Sequence, residues 1–185
     1  MADTAPTPPR TADPRACVEQ AHAFGVPRDY GRMRALRRVR EPSRLVCIGH
    51  DTQQRPQWLA ERAAQAWTRM RDAAAHAGVE LQVVSAFRSV EYQLGILKRK
   101  LDRGLSIDEI LKVSAAPGYS EHHSGRALDL TTPGFAALEQ EFENSPAFGW
   151  LKKNAGHYRF HLSYPRRNRH AIAYEPWHWC WHQRR

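Results

Sequence analysis

The chain has 185 residues, 42% of them hydrophobic and 25% charged, with a formal net charge of +9. That length suits one domain with a proper core and excludes two of ordinary size. No apolar run is long enough to span a membrane.

The surplus charge is largely arginine: Arg32, Arg34, Arg37, Arg38 and Arg40, then Arg166, Arg167 and Arg169, then Arg184 and Arg185. Such a balance favours anionic partners, among them nucleic acid, acidic lipid or an anionic wall polymer. No nucleic-acid recognition motif accompanies the charge, so no nucleic-acid partner is expected.

Residues 1–12, rich in Pro, Thr and Ala, are expected to form a disordered tail, leaving residues 13–185 as a single domain. The tail holds no apolar stretch that could serve as a signal peptide. As written, the chain is expected in the cytoplasm, or in the periplasm or outside the cell if a leader precedes it. Pro14 to Phe24 suits a short helix, and Leu45 to Ile48 a short buried strand. Pro56 is expected to open a helix to about Ala77, with Leu59, Ala63, Ala66, Trp67, Met70 and Ala74 on one face and Gly78 as the stop. Val79 to Phe87 alternates as a strand. Ser89 then starts a helix carrying Tyr92, Ile96, Leu97 and Lys100 and ending at Gly104. Ser106 and Glu109 form a capping-box signature. Residues 115–125 read as a loop, Ala127 to Leu130 as a strand, and Phe135 to Phe142 as a helix. Ser145-Pro146 caps a further helix to about Asn154. Tyr158–Ser163 and Ala171–Trp179 are the last expected strands, joined by a basic turn. The alternating Trp177, Trp179 and Trp181 suit a half-buried strand packing aromatics. Strands mixed with unevenly placed helices predict an α+β domain, an antiparallel sheet flanked by helices, and not a βαβ repeat. Cys17, Cys47 and Cys180 lack CxxC spacing and read as reduced, ordinary residues.

Two segments carry chemistry: Ser120-Glu121-His122-His123-Ser124-Gly125-Arg126-Ala127-Leu128-Asp129, and Glu175-Pro176-Trp177-His178. Together they offer two imidazoles and one carboxylate as ligands, the count of a catalytic zinc site with its fourth position left for water. The spare carboxylate matches the general base of metal-assisted hydrolysis. The chain therefore reads as a zinc hydrolase with one ion. His123 competes with His122; in extended backbone, adjacent side chains point to opposite sides, so one of the two should face the metal. Arg88 stands where a strand hands over to a helix, in Ser85-Ala86-Phe87-Arg88-Ser89, and a guanidinium there can pair bidentately with a carboxylate. Gln93, on the first turn of the following helix, could face the same cleft.

These segments, taken with Pro117-Gly118-Tyr119 and Ser163-Tyr164-Pro165 and in this order, resemble the VanY-type zinc D-alanyl-D-alanine carboxypeptidases. Those enzymes belong to the lysostaphin/D-Ala-D-Ala-peptidase/hedgehog fold group. The resemblance covers roughly residues 40–181, and SxHxxGxAxD followed by EPWH is a specific pair. It implies zinc on His122, Asp129 and His178, with Glu175 as the base. It also implies Arg88 on the substrate's terminal carboxylate or the developing oxyanion, and Ser120 and Gln93 lining the cleft. The fold implied is α+β, its antiparallel sheet flooring a zinc cleft. The reaction implied is removal of a C-terminal D-alanine from a peptidoglycan-derived peptide. Arg159 replaces a usual glycine, and Cys180-Trp181 a usual Arg-Tyr. Two other readings accompany this one: an endolysin-like peptidase cutting inside the stem peptide, and a non-catalytic zinc module binding an anionic polymer. Glu175 argues against the second, since a merely structural site needs no base.

Overall fold

The structure, a computed structural model, describes residues 6–183. Residues 1–5 of the expected tail and the Arg184-Arg185 pair lie outside the described residues. Residues 6–12 form neither helix nor strand. Arg10 donates from Nη1 to the Pro42 carbonyl (2.6 Å) and from Nη2 to the Ser43 carbonyl (2.8 Å). Thr11 Oγ1 donates to Glu41 Oε1 at 2.6 Å.

Helix α1 (Pro14–Ala23) starts where Asp13 accepts from the amides of Arg15 and Ala16, and it buries Val18 and Ala21. A single turn, α2 (Tyr30–Met33), follows. Strands β1 (Val46–His50) and β2 (Pro56–Leu59) then pair as an antiparallel hairpin. The expected helix start at Pro56 is therefore corrected: Pro56 opens a strand and pairs with His50. Proline lacks an N–H, which suits the first residue of a strand as well as the first turn of a helix. The helix, α3 (Glu61–His76), begins five residues later and buries Ala63, Ala66, Trp67, Met70 and Ala74.

Beyond it come β3 (Gln82–Ser85), α4 (Val90–Asp102) and α5 (Ile107–Lys112). Ser89 caps α4 through a bond from the Tyr92 amide, and both arms of the Ser106–Glu109 capping box are made. Strand β4 (Ala127–Thr131) is buried along its whole length. Helix α6 (Pro146–Asn154), β5 (Phe160–Leu162) and β6 (His178–Trp181) complete the fold. The main sheet runs β3-β4-β6-β5, antiparallel throughout. The α+β class with an antiparallel sheet and flanking helices is as expected, except that the hairpin stands apart as a second sheet.

Two further expectations are corrected. Residues 135–142 are not a helix: Leu138 adopts φ 62°, which a right-handed helix cannot continue through, and only a 3₁₀ turn (Gln140–Asn144) follows. Residues 171–177 are not strand. They form an irregular segment tied down by bonds from the Ala173 amide to the Lys112 carbonyl (2.7 Å) and from the Glu175 amide to the Tyr164 carbonyl (3.1 Å). Among the described residues, no helix is long and apolar enough to cross a membrane.

One core packs α3 and α6 against the main sheet, with Trp179 and Trp181 inside it and Trp177 at its margin. A second packs α1, α4 and α5 around Tyr30 and Tyr119. A cleft lies where α4 faces β4 and β6.

Candidate active site

Strand pairing brings the two chemical segments together. In the β4–β6 register Asp129 lies opposite His178, so their side chains leave the same face of the sheet. His122 arrives from a 3₁₀ turn (Glu121–Ser124) capped by Ser120, whose Oγ accepts from the His122 amide. The turn ends at Gly125, φ 63°, where a Cβ would meet the Ala60 amide nitrogen and Leu45 Cδ2 at 2.9 Å each. Glycine lets the turn close onto the hairpin, sealed by the Ala60 amide bond to the Gly125 carbonyl at 2.7 Å.

His122, Asp129 and His178 are 1%, 3% and 2% exposed, and one donor atom from each lies within 4.8 Å of the others. Asp129 Oδ1 is 3.2 Å from His122 Nε2 and 3.0 Å from His178 Nδ1. Ligands held at about 2.0–2.1 Å around a tetrahedral zinc stand about 3.3 Å apart, so these three donors fit such an ion with small adjustment. The outer nitrogens are also held. His122 Nδ1 donates to the Ala86 carbonyl at 2.5 Å, and His178 Nε2 donates to Glu121 Oε2 at 2.9 Å. With the outer nitrogens so employed, the inner ones, His122 Nε2 and His178 Nδ1, both face Asp129, the orientation a metal-binding imidazole needs.

His123 is differently employed. The pair lies in a 3₁₀ turn and not in extended backbone, so their side chains diverge by about 120°. His123 Nδ1 donates to the Arg88 carbonyl (2.7 Å) and Nε2 accepts from the Gly118 amide (3.1 Å). With both nitrogens used, it braces the loop.

Arg88 Nη2 donates to Asp129 Oδ2 at 3.3 Å, while its Nε is buried with no hydrogen-bond partner among the described residues. Glu175 Oε2 lies 3.8 Å from His178 Nδ1, beside the donor set without joining it. Gln93 anchors its amide nitrogen on Ser114 Oγ (2.9 Å) and the Ala115 carbonyl (2.8 Å), leaving Oε1 without a partner. Arg88, Gln93, Ser120 and Glu175 all line one cleft of about 420 Å³ with the donor triad.

The electrostatics separate the carboxylates. Burial pushes Glu175 up to about 7, with the Asp129 charge adding to the effect and His178 and Arg88 opposing it. Burial acts the same way on Asp129, but His122, His178 and Arg88 outweigh it and hold that carboxyl well below its ordinary value. Burial, with help from Arg88, takes His122 down to about 4, so it is neutral at pH 7. Burial also opposes charge on His178, yet its bonds to Asp129 and Glu121 carry it up to about 10. A metal at Nδ1 must displace that proton, which ties metal affinity to pH.

A profile of the family described as VanY, D-alanyl-D-alanine carboxypeptidase, matches residues 56–184. The chain belongs to that family. It is similar to the putative carboxypeptidase YodJ of Bacillus subtilis (strain 168), 34% identical over 152 residues, a match covering 75% of this chain and 53% of that protein. A D-alanyl-D-alanine carboxypeptidase of Enterococcus faecium is 28% identical over 124 residues, covering 65% and 36%. This VanY-family chain thus spans about half, or less, of the length of these curated relatives. Among solved structures, the LdcB LD-carboxypeptidase aligns with a TM-score of 0.68 at 31% identity, over 76% of this chain and 69% of that one. A vancomycin-resistance D,D-pentapeptidase VanY in complex with Zn(II) shares the fold, with a TM-score of 0.59 at 23% identity over 77% and 82%. So does VanYB in complex with D-alanine-D-alanine, with a TM-score of 0.62 at 24% identity over 79% and 81%.

Sequence reasoning missed Glu121, the carboxylate behind His178. Its signal was only its place next to His122. It gave no role to Tyr164, quoted only within the Ser163-Tyr164-Pro165 segment; the Tyr164 ring lies 4.8 Å from that of His178 in the same cleft.

Proposed function

We propose that this VanY-family carboxypeptidase is zinc-dependent and removes a C-terminal D-alanine from peptidoglycan stem peptides or their precursors. The observation that carries the reading is the donor triad His122–Asp129–His178 at near-tetrahedral spacing, with Glu175 beside it and outside it. The Zn(II) complex of a VanY relative and the D-alanine-D-alanine complex of VanYB support the choice of ion and substrate.

An ion on those three donors would polarise the scissile carbonyl and make a neighbouring water more acidic. Glu175 accepts the proton of the attacking water and returns it to the leaving amine. A carboxyl pushed up to about 7 suits a group that takes and gives a proton near neutrality. Arg88 binds the substrate's terminal carboxylate, which supplies the partner its buried Nε lacks. Gln93 Oε1, fixed by its anchored amide, accepts a substrate N–H, and Ser120 holds the turn that carries His122. Demanding a free carboxylate at Arg88 makes the enzyme an exopeptidase.

The test is Glu175→Gln, assayed for alanine release at matched zinc content. Turnover should fall about 10²–10⁴-fold with zinc still bound. Undiminished turnover would remove Glu175 from the role of base.

A further inference from the structure

On the far side of Glu121 from His178 lies a second set of metal-binding side chains. A carboxylate oxygen of Glu121, Cys180 Sγ and a ring nitrogen of His182 lie within 4.8 Å of one another. Their placement follows from the strand. His178 and Cys180 are two apart on β6 and share a face, and the bond from the His182 amide to the Arg159 carbonyl at 2.9 Å extends the ladder by one residue. Across the sheet His161 pairs with Cys180, and its ring stands edge-on to that of His182, centroids 5.4 Å apart. A pocket of about 230 Å³, sharing no lining residue with the catalytic cleft, opens onto Glu121, Cys180 and His182.

We propose that Glu121, Cys180 and His182 form a second metal site, for a thiolate-binding divalent ion such as zinc or cobalt(II), next to the catalytic centre. Arg126 and Arg169 line the same pocket and oppose a cation. The site therefore needs the negative charge of both the carboxylate and the thiolate, whose proton is released on binding. That requirement selects borderline and soft ions over magnesium or calcium, which seek oxygen donors. Tetrahedral S, N and O ligands stand about 3.3–3.7 Å apart, so closing the set takes a rotation of the exposed His182 side chain. The two sites meet at Glu121, which already holds His178 Nε2.

The inference rests on the zinc reading only in expecting one further ion at His122, Asp129 and His178. The experiment is a cobalt(II) titration of the full chain carrying Cys17→Ser and Cys47→Ser, which leaves Cys180 as the one thiol of three. It is followed by absorption and metal analysis. Two equivalents should bind, one of them bringing thiolate-to-cobalt charge-transfer absorption. Adding Cys180→Ser should abolish that absorption and leave one equivalent. His182→Ala, a change at an exposed side chain, should weaken the thiolate-bearing equivalent at least tenfold. Binding of a single equivalent without charge transfer would overturn the proposal, as would a second equivalent indifferent to Cys180→Ser and His182→Ala. A single equivalent with charge transfer would uphold it and count instead against the His122–Asp129–His178 reading.

Discussion

Asp129 holds three groups with one carboxylate. Oδ1 faces both inner imidazole nitrogens, and Oδ2 takes Arg88. Around it, each neighbour is fixed by something behind it: His122 by the Ala86 carbonyl, His178 by Glu121. Such outer partners typically carry about 10–100-fold of metal affinity. Glu121→Ala should therefore weaken zinc binding by about that factor, read in a competition titration with a chromophoric chelator, while leaving Glu175 in place. Unchanged affinity would remove Glu121 from this role. Arg88 admits two roles, and a two-by-two comparison separates them. In kcat/KM, Arg88→Ala should damage cleavage of a peptide with a free C-terminus far more than of its amide, because a lost charge-assisted bond costs about 1.5–3 kcal/mol. Equal losses on both substrates would move Arg88 to oxyanion stabilisation. The residue types at the site were legible as two spaced segments. The division of labour between His122 and His123 was not, because it depends on which backbone groups meet each ring: the Gly118 amide and the Arg88 carbonyl occupy both nitrogens of His123.

Among the elements, those whose caps are local were readable from the chain. Ser89, Ser106 and Ser145 each start a helix at the expected place. The misreadings have different causes. The 135–142 segment turns on one left-handed residue, Leu138, and the 171–177 segment on bonds to Lys112 and Tyr164, so periodicity fixes neither. Pro56 belongs to a short hairpin whose local turn is built around the buried Asp51. Asp51 Oδ1 accepts from the amides of Gln53 (2.8 Å) and Arg55 (2.9 Å), and Oδ2 from Arg55 Nε (2.7 Å) and Gln57 Nε2 (2.9 Å). Burial alone would push Asp51 up, but the bonds from Arg55 and Gln53 and the Arg55 charge hold it below the ordinary carboxylate value. A lowered carboxyl contributes stability above its unfolded value, and that contribution is lost as pH falls through the folded one. Melting temperatures between about pH 5 and pH 2 should therefore drop more steeply for the wild type than for Asp51→Asn. Parallel curves would mean the carboxylate contributes nothing to the hairpin.

For the molecule as a whole, the mixture of helices and strands suggests an α+β fold, but the order β3-β4-β6-β5 is not written in any local pattern. The pairing that matters most, Asp129 against His178, joins residues 49 apart in the chain; family resemblance supplied what periodicity could not. That pairing sets the donor triad on the sheet and leaves α4, with Arg88 just before it and Gln93 on its first turn, to form the opposite wall. The proposed activity, substrate and metal thus all fall on one cleft. The most direct test is to strip the protein of metal, add zinc in steps, and follow a peptide ending in D-alanyl-D-alanine by mass spectrometry. The account predicts loss of a single C-terminal D-alanine, absent without zinc and appearing in step with the ion that fills His122, Asp129 and His178. Fragments cut inside the peptide, or alanine release that persists without metal, would contradict it.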